Sequence, residues 1–244
     1  MFAIFKKDIK SYFTTATGYI FLAVSLVLSG FLFSINTVMA STPTSNTSGY
    51  FSIILFMVMI FLPILTMRSF SEERRSKTDQ LLFTSPVSTI SLVMGKFFSA
   101  FVMFLIYLAL SCLNFIPLYI FKADGASPPN MALIIGNLFA LVLVGMAFIA
   151  IGIFISSLTE NMFASALITM AVLFGFLMID GFNGLLGSSK LYVVRFILSW
   201  FSVLSRYSAF ANGYFDVSAL VYYISISALF IFLTERVFKA RRLA

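Results

Sequence analysis

The chain has 244 residues, of which 61% are hydrophobic and only 10% are charged, so we predict an integral membrane protein. It contains no histidine and a single cysteine, Cys112, which excludes disulfide frameworks, the usual zinc sites and Cys/His nucleophile pairs. Cytosolic loops rich in lysine and arginine explain the net charge of +7, and we predict no nucleic-acid partner.

The first segment, residues 1–17, has the pattern of an amphipathic helix lying in the headgroup plane of the membrane. Apolar residues recur there at spacings of three and four, and charged residues fill the positions between them. The residues assigned to this interfacial helix are Phe2, Phe5, Lys6, Lys7, Ile9 and Lys10. The alternative is a slightly extended first span with a basic flank. No small-residue cleavage site follows the next apolar run, so we expect a retained helix.

Apolar runs long enough to cross a bilayer follow, since a hydrocarbon core of about 30 Å requires roughly 20 residues of helix. The six predicted spans are 18–38, 50–67, 97–120, 131–156, 162–179 and 217–235. Together they form a single transmembrane domain, 1–244, with both termini on one side. Small residues on the fourth span favour close helix packing within the chain over a dimer contact. They are Gly136, Gly145, Gly152 and Ser156.

The distribution of basic residues predicts the orientation of these spans. One face carries 12 lysines and arginines and the other carries 4, and basic residues near span ends are retained in the cytosol. Both termini and the loop 68–92 are therefore predicted to be cytosolic. The extracytoplasmic segment 180–216 is too polar to cross and unusually aromatic, so we expect short helices in or on the outer leaflet. A seventh span at 191–210 is disfavoured because it would place the basic C-terminal residues outside.

Sequence motifs for catalysis are missing from the chain. No G-x-x-x-x-G-K-[ST] sequence occurs, so we predict no nucleotide hydrolysis, no catalytic residue and no metal site. The spans contain almost no ionisable residues, which argues against an ion-coupled carrier. Glu235, near the end of the last span, is expected to pair with Arg236 or Lys239.

The loop 68–92 is the most polar stretch of the chain. We expect Ser71 to cap a short helix whose first turn contains Glu72 and Glu73, because acidic residues are favourable at a helix N-terminus. Basic residues follow, then an apolar group, and a Ser-Pro pair returns the chain to the next span. The simplest alternative is a solvated, positively charged loop without a partner.

The order of residues in "LTMRSFSEERRSKTDQLLFTSPVSTISLVMGKFF" resembles the cytosolic loop of ABC-2 type export permeases. In that family the second span leads into a turn rich in Glu and Arg, followed by a Thr, a Leu pair, a Ser-Pro and a Gly-Lys at the third span. The matching positions are Glu73, Arg74, Thr78, Leu81, Leu82, Ser85, Pro86, Gly95 and Lys96. The chain departs from the pattern at Lys77, where the family commonly has Gly.

The resemblance implies the permease subunit of an ATP-binding-cassette exporter in the plasma membrane, which in a bacterium is the cytoplasmic membrane. It implies two separate ATPase subunits that hold ATP and magnesium, a second copy of the permease or a homologous permease, and contact with membrane lipid. The loop helix is then a coupling helix that docks on the ATPase. Its implied docking residues are Glu72, Glu73, Arg74, Arg75, Thr78, Leu81, Leu82, Phe83 and Pro86.

Two other functions remain open from the sequence. The first is a membrane scaffold or assembly protein that binds a cytosolic partner through 68–92 without transport. The second is a stand-alone carrier or channel, which the scarcity of charges within the spans disfavours. An apolar, aromatic interior accepts lipids, hydrophobic peptides and drugs equally well, so the sequence predicts no particular substrate.

Overall fold

The computed structural model describes residues 1–38, 48–78, 88–116, 130–185, 200 and 202–243. In these ranges all secondary structure is helical, which confirms the all-α prediction. The α-helices are α1 (Phe2–Thr14), α2 (Ala16–Phe33), α3 (Ser48–Thr66), α4 (Arg68–Arg75), α5 (Thr89–Ser111), α6 (Met131–Leu158), α7 (Met162–Leu185), α8 (Leu204–Ala211) and α9 (Val217–Leu243). A π-helical turn, Ser34–Val38, extends α2, and a 3-10 turn, Cys112–Phe115, extends α5.

Six helical stretches in this part of the chain are long and apolar enough to cross a membrane, as predicted. They are Ala16–Asn36, Gly49–Arg75, Thr89–Phe115, Met131–Leu158, Met162–Gly181 and Val217–Arg242. The third begins at Thr89 rather than at 97, because the charge of Lys96 is compensated by contacts with neighbouring helices and does not end the helix. The last continues past Glu235 into a basic final turn, which suits the negative end of a helix dipole.

Helix α6 forms the centre of the bundle and packs against α3, α4, α5, α7, α8 and α9. In its most apolar 18-residue stretch 72% of the residues are buried, against 22% in the corresponding stretches of α7 and α9. Its glycines permit this close packing, since a β-carbon at Gly145 would overlap the Phe104 ring and one at Gly152 would overlap Thr66. The prediction that these small residues serve packing within the chain is confirmed.

Both ends of the described chain lie at the same end of the bundle, which we call the basic end. It comprises α1, α4, the first turns of α5, the connection between α6 and α7, and the last turns of α9. The start of α5 contacts α9 through the Thr89 hydroxyl, which lies 3.4 Å from the Glu235 carboxylate. Helix α4 contacts α9 through Phe70 and Phe238, whose ring centres are 4.4 Å apart. Glu235 pairs with Lys239 at 2.7 Å, one of its two predicted partners.

The opposite end carries α8, the described helix that lies wholly within the predicted segment 180–216. The Asp180 carboxylate accepts a hydrogen bond from the Leu204 amide at 3.1 Å and so caps the start of α8. The Tyr207 hydroxyl donates to Asn137 on α6 at 2.9 Å. A short helix therefore packs on the bundle at this end, and its position relative to the outer leaflet stays a prediction.

Candidate functional site

Helix α4 contains the charged residues of the predicted coupling loop, but it begins earlier than predicted. It starts at Arg68, directly after α3, so Glu72 and Glu73 do not lie in its first turn. The prediction that Ser71 caps this helix is wrong, because its buried hydroxyl donates to the Ser156 carbonyl on α6 at 3.1 Å. Arg74 and Arg75 occupy the last turn, where positive charge favours the helix dipole.

A hydroxyl group on α6 holds the start of α4. Ser156 Oγ accepts hydrogen bonds from the backbone amides of Phe70 at 3.1 Å and Ser71 at 3.2 Å. It also lies within donating distance, 3.2 Å, of the Met67 carbonyl. Because Ser71 and Ser156 are both fully buried, loss of these bonds would leave polar groups without partners.

The next turn of α4 is braced against the connection between α6 and α7. The Arg74 guanidinium donates to the Leu158 carbonyl at 2.8 Å and pairs with Glu160 at 2.9 Å. Arg68 and Glu72, one turn apart on α4, form an ion pair in which Arg68 Nε donates to Glu72 Oε2 at 2.7 Å. Two of the predicted docking residues, Glu72 and Arg74, are therefore paired with other residues of this chain.

Lys96 joins three helices at the basic end. Its side chain on α5 is 5% exposed, and its ammonium lies 2.8 Å from Glu73 Oε1 on α4 and 3.9 Å from Asp8 Oδ2 on α1. It also donates to the Ser69 carbonyl and lies 4.7 Å from the centre of the Phe70 ring. A buried ammonium is tolerated only when carboxylates and carbonyls compensate its charge, so these contacts fix where α1 and α4 lie on α5.

Helix α1 is confirmed as a helix, and one of its faces packs against the bundle. A β-carbon at Gly95 on α5 would lie 3.1 Å from Ile4, and the Tyr12 hydroxyl donates to the Leu65 carbonyl at 3.4 Å. Burial raises the pKa of the Asp8 carboxyl, against the opposing effect of Lys96, and burial raises the pKa of Tyr12 to about 12.

The outer surface of α1 keeps the amphipathic character predicted for it. Phe2, Lys6, Lys7 and Lys10 are exposed, while Phe5 and Ile9 are half-buried. Its location in the headgroup plane stays a prediction.

A cavity of about 290 Å³ separates α1 from α4 and is lined by polar and charged side chains of both helices and of α5. Ion pairs cross its edge, with Lys7 of α1 3.5 Å from Glu73. Glu73 Oε2 is buried and has no hydrogen-bond partner among the described residues, and neither has Asp8 Oδ2. Across this cavity the two helices are therefore held together by charge rather than by apolar packing.

Helix α4 ends in a turn that requires a left-handed residue. Lys77 has a φ of +56°, the Thr78 amide donates to the Glu73 carbonyl at 2.9 Å, and the Lys77 amide donates to the Arg74 carbonyl at 3.1 Å. This pair of bonds is the Schellman motif, in which glycine is favoured because it has no β-carbon. Lys77 adopts the conformation that a glycine would, and the Thr78 hydroxyl adds a bond to the Glu73 carbonyl at 3.2 Å.

A family model described as ABC-2 family transporter protein matches residues 31–235, well over half of the chain. The chain belongs to the ABC-2 transporter family. The resemblance deduced from the loop is thus confirmed, and the protein is a multi-pass membrane permease of an ABC transporter. The search of curated proteins found no match.

The structure of this ABC-2 permease places the predicted docking residues in two groups. Glu72, Glu73 and Arg74 are partly buried in the contacts given above, whereas Arg75 and Thr78 are exposed at the end of α4. The apolar members of the set lie outside the described residues. They are Leu81, Leu82, Phe83 and Pro86.

Three residues of the permease site had no assigned contact in the sequence interpretation. Asp8 counted only as a charge between apolar positions, Lys96 as part of a family pattern, and Ser156 as a small residue for helix packing. Their partners are distant in sequence, and no local pattern reveals a contact between residues 8, 73 and 96. The available signal was a lysine next to an apolar run, which indicates a buried charge with a partner.

Proposed function

We propose that this ABC-2 permease is the membrane subunit of an ATP-driven exporter and that residues 68–92 dock on a separate ATPase subunit. Lys96 is the observation that carries the proposal, because one buried ammonium joins α4 to both α5 and α1. A displacement of the loop would therefore move the ends of two further helices. ATP and magnesium would be held by the ATPase, so this chain would contribute movement and not catalysis.

The contacts of α4 suggest how movement would pass into the spans. Closure of the ATPases on ATP would push on the loop beyond Thr78, and α4 would receive the force through its last turn. Ser71 and Arg74 would transmit it to the end of α6, and Glu73 to α5 through Lys96. Because these contacts are buried and directional, α4 would move these helix ends together instead of bending alone.

The proposal includes orientation and assembly. The basic end would face the cytosol, in agreement with the excess of lysine and arginine there. A second permease, identical or homologous, would complete the pathway, and two ATPase subunits would dock, one on each permease. In a bacterium this complex would lie in the cytoplasmic membrane.

The docking assignment can be tested by purification of the complex. The chain would be expressed with the ATPase encoded beside it and purified through one tag, in the native form and as Leu81→Asp, Leu82→Asp. We expect the double variant to lose the ATPase and its permease-dependent ATP hydrolysis, because charged side chains prevent burial of the leucine pair. Phe163→Asp is a matched control, since Phe163 is an exposed apolar residue in the first turn of α7, at the same end of the bundle.

A double variant that recruits the ATPase normally would contradict the docking assignment. Failure of the native chain to recruit any ATPase would instead favour the membrane scaffold. Export would be tested separately with inside-out vesicles, in which ATP added outside should drive substrate into the lumen.

A further inference from the structure

An apolar groove lies between the N-terminal helix α1 and α5, on the side of α1 away from the polar cavity. Its volume is about 410 Å³, within the range of roughly 300–1,000 Å³ that small-molecule sites occupy. The lining residues are Met1, Phe2, Phe5, Phe98 and Val102. Phe2 is 76% exposed, so most of its ring is not covered by protein in the described part of the chain.

The α5 wall of the groove belongs to an apolar span. Phe98 and Val102 lie in the membrane-capable stretch Thr89–Phe115, just beyond Lys96, where the uncharged part of the span begins. All the residues that line the groove are apolar. With α1 in the headgroup plane, as predicted, a ligand in the groove would lie in the part of the acyl region next to the headgroups.

Positive charge borders the same flank of α1. Lys6 and Lys10 follow Phe2 at intervals of one helical turn, so the three side chains form a row along one face. Both lysines are exposed, and neither has an ion-pair partner among the residues that the structure describes. Lys7 differs, because it points to the other flank and pairs with Glu73.

We propose that this groove binds one acyl chain of an anionic phospholipid whose phosphate lies between Lys6 and Lys10. An acyl chain has no polar backbone, so it fills an apolar groove without leaving unpaired hydrogen-bonding groups as a peptide would. The lysines select an anionic headgroup, since a zwitterionic lipid brings an ammonium group that they repel. The site does not depend on ATPase docking.

Quenching of a single tryptophan by brominated lipid tests the proposal. Trp200 is the only tryptophan of the chain, so Phe98→Trp in a Trp200→Phe background gives a reporter in the groove wall. The full-length chain would be reconstituted in phosphatidylcholine vesicles with brominated phosphatidylglycerol or brominated phosphatidylcholine. Leu229→Trp in the same background is the matched control, because Leu229 is an exposed apolar residue on α9.

We expect the anionic lipid to associate at the groove about fivefold more tightly than phosphatidylcholine. This is the gain in affinity that about one lysine gives near an anionic lipid surface. Lys6→Gln, Lys10→Gln should abolish that preference, and the reporter on α9 should show none. If Phe98→Trp does not fold, Val102→Trp places the reporter one turn further along the groove.

Three results on the preference for anionic lipid would overturn the proposal. These are equal quenching by the two lipids at the groove, the same preference for anionic lipid at Leu229, or a preference that survives removal of both lysines. Absence of quenching by either lipid at the groove would also overturn it, since the groove would then hold no acyl chain.

Discussion

Replacement of Lys96 by methionine removes the charge that joins α1, α4 and α5 while keeping most of the volume of the side chain. The variant removes the buried ammonium partner of Glu73 and Asp8, whose side-chain exposures are 17% and 15%, and leaves Glu73 with only the exposed Lys7 at 3.5 Å. Breaking a buried ion pair from one side costs about 3–5 kcal/mol, and we expect the lower limit because both carboxylates retain some access to water. A cost of about 3 kcal/mol corresponds to roughly a hundredfold increase in the detached population of α1 and α4.

Hydrogen exchange followed by mass spectrometry measures this detachment directly. Peptides that cover α1 and α4 should lose protection by up to about a hundredfold in Lys96→Met, while peptides from the middle of α6 should not change. The triple variant Lys96→Met, Glu73→Gln, Asp8→Asn should recover most of the protection, because a buried ion cluster can be replaced by uncharged groups at little cost.

Lys7→Met is the matched control for this experiment. It removes a second partner of the same Glu73, but the Lys7 side chain is 66% exposed, so its loss should cost less than about 1 kcal/mol. Unchanged protection in Lys96→Met, or a triple variant as unprotected as the single one, would show that the ammonium does not hold these helices together.

Three further variants test other contacts of the basic end. Lys77→Gly should slow amide exchange at residues 77 and 78 about two- to fivefold by relieving the left-handed strain, whereas Lys77→Ala, which keeps a β-carbon, should not. Ser156→Ala should destabilise α4 by about 1–3 kcal/mol in the same measurement, and Ser157→Ala, whose hydroxyl donates to the Phe154 carbonyl of its own helix, should have little effect. Burial raises the pKa of Asp8, so the attachment of α1 is strongest at low pH and weakens as pH rises from the ordinary value of 3.8 through the raised one. The mobility of a spin label on Ala3→Cys, in a Cys112→Ser background, measures this attachment between about pH 4 and pH 7. Asp8→Asn should remove the pH dependence of the mobility. If the pH dependence is the same in Asp8→Asn, Asp8 is not the group that controls the attachment of α1.

The spans and the amphipathic helix were predictable because hydropathy and periodicity are properties of contiguous residues. The start of α4 was not predictable. The capping rule assumed that the Ser71 hydroxyl was free to cap the helix, whereas this hydroxyl bonds to Ser156, 85 residues away. The contacts of Lys96 could not be predicted either, since they depend on how three helices pack. Lys77 was identified as a departure from the family pattern, but the sequence could not show that it adopts a positive φ.

The close packing around α6 determines where this chain can change during evolution. Positions 145 and 152 leave no room for any side chain larger than that of glycine, because Phe104 and Thr66 already occupy the space. The outward surfaces of α7 and α9 are mostly uncovered by the part of the chain that the structure describes, so they need only stay apolar. Descendants of this sequence can therefore adapt to new lipids or new neighbouring subunits on those surfaces while the centre of the bundle stays fixed.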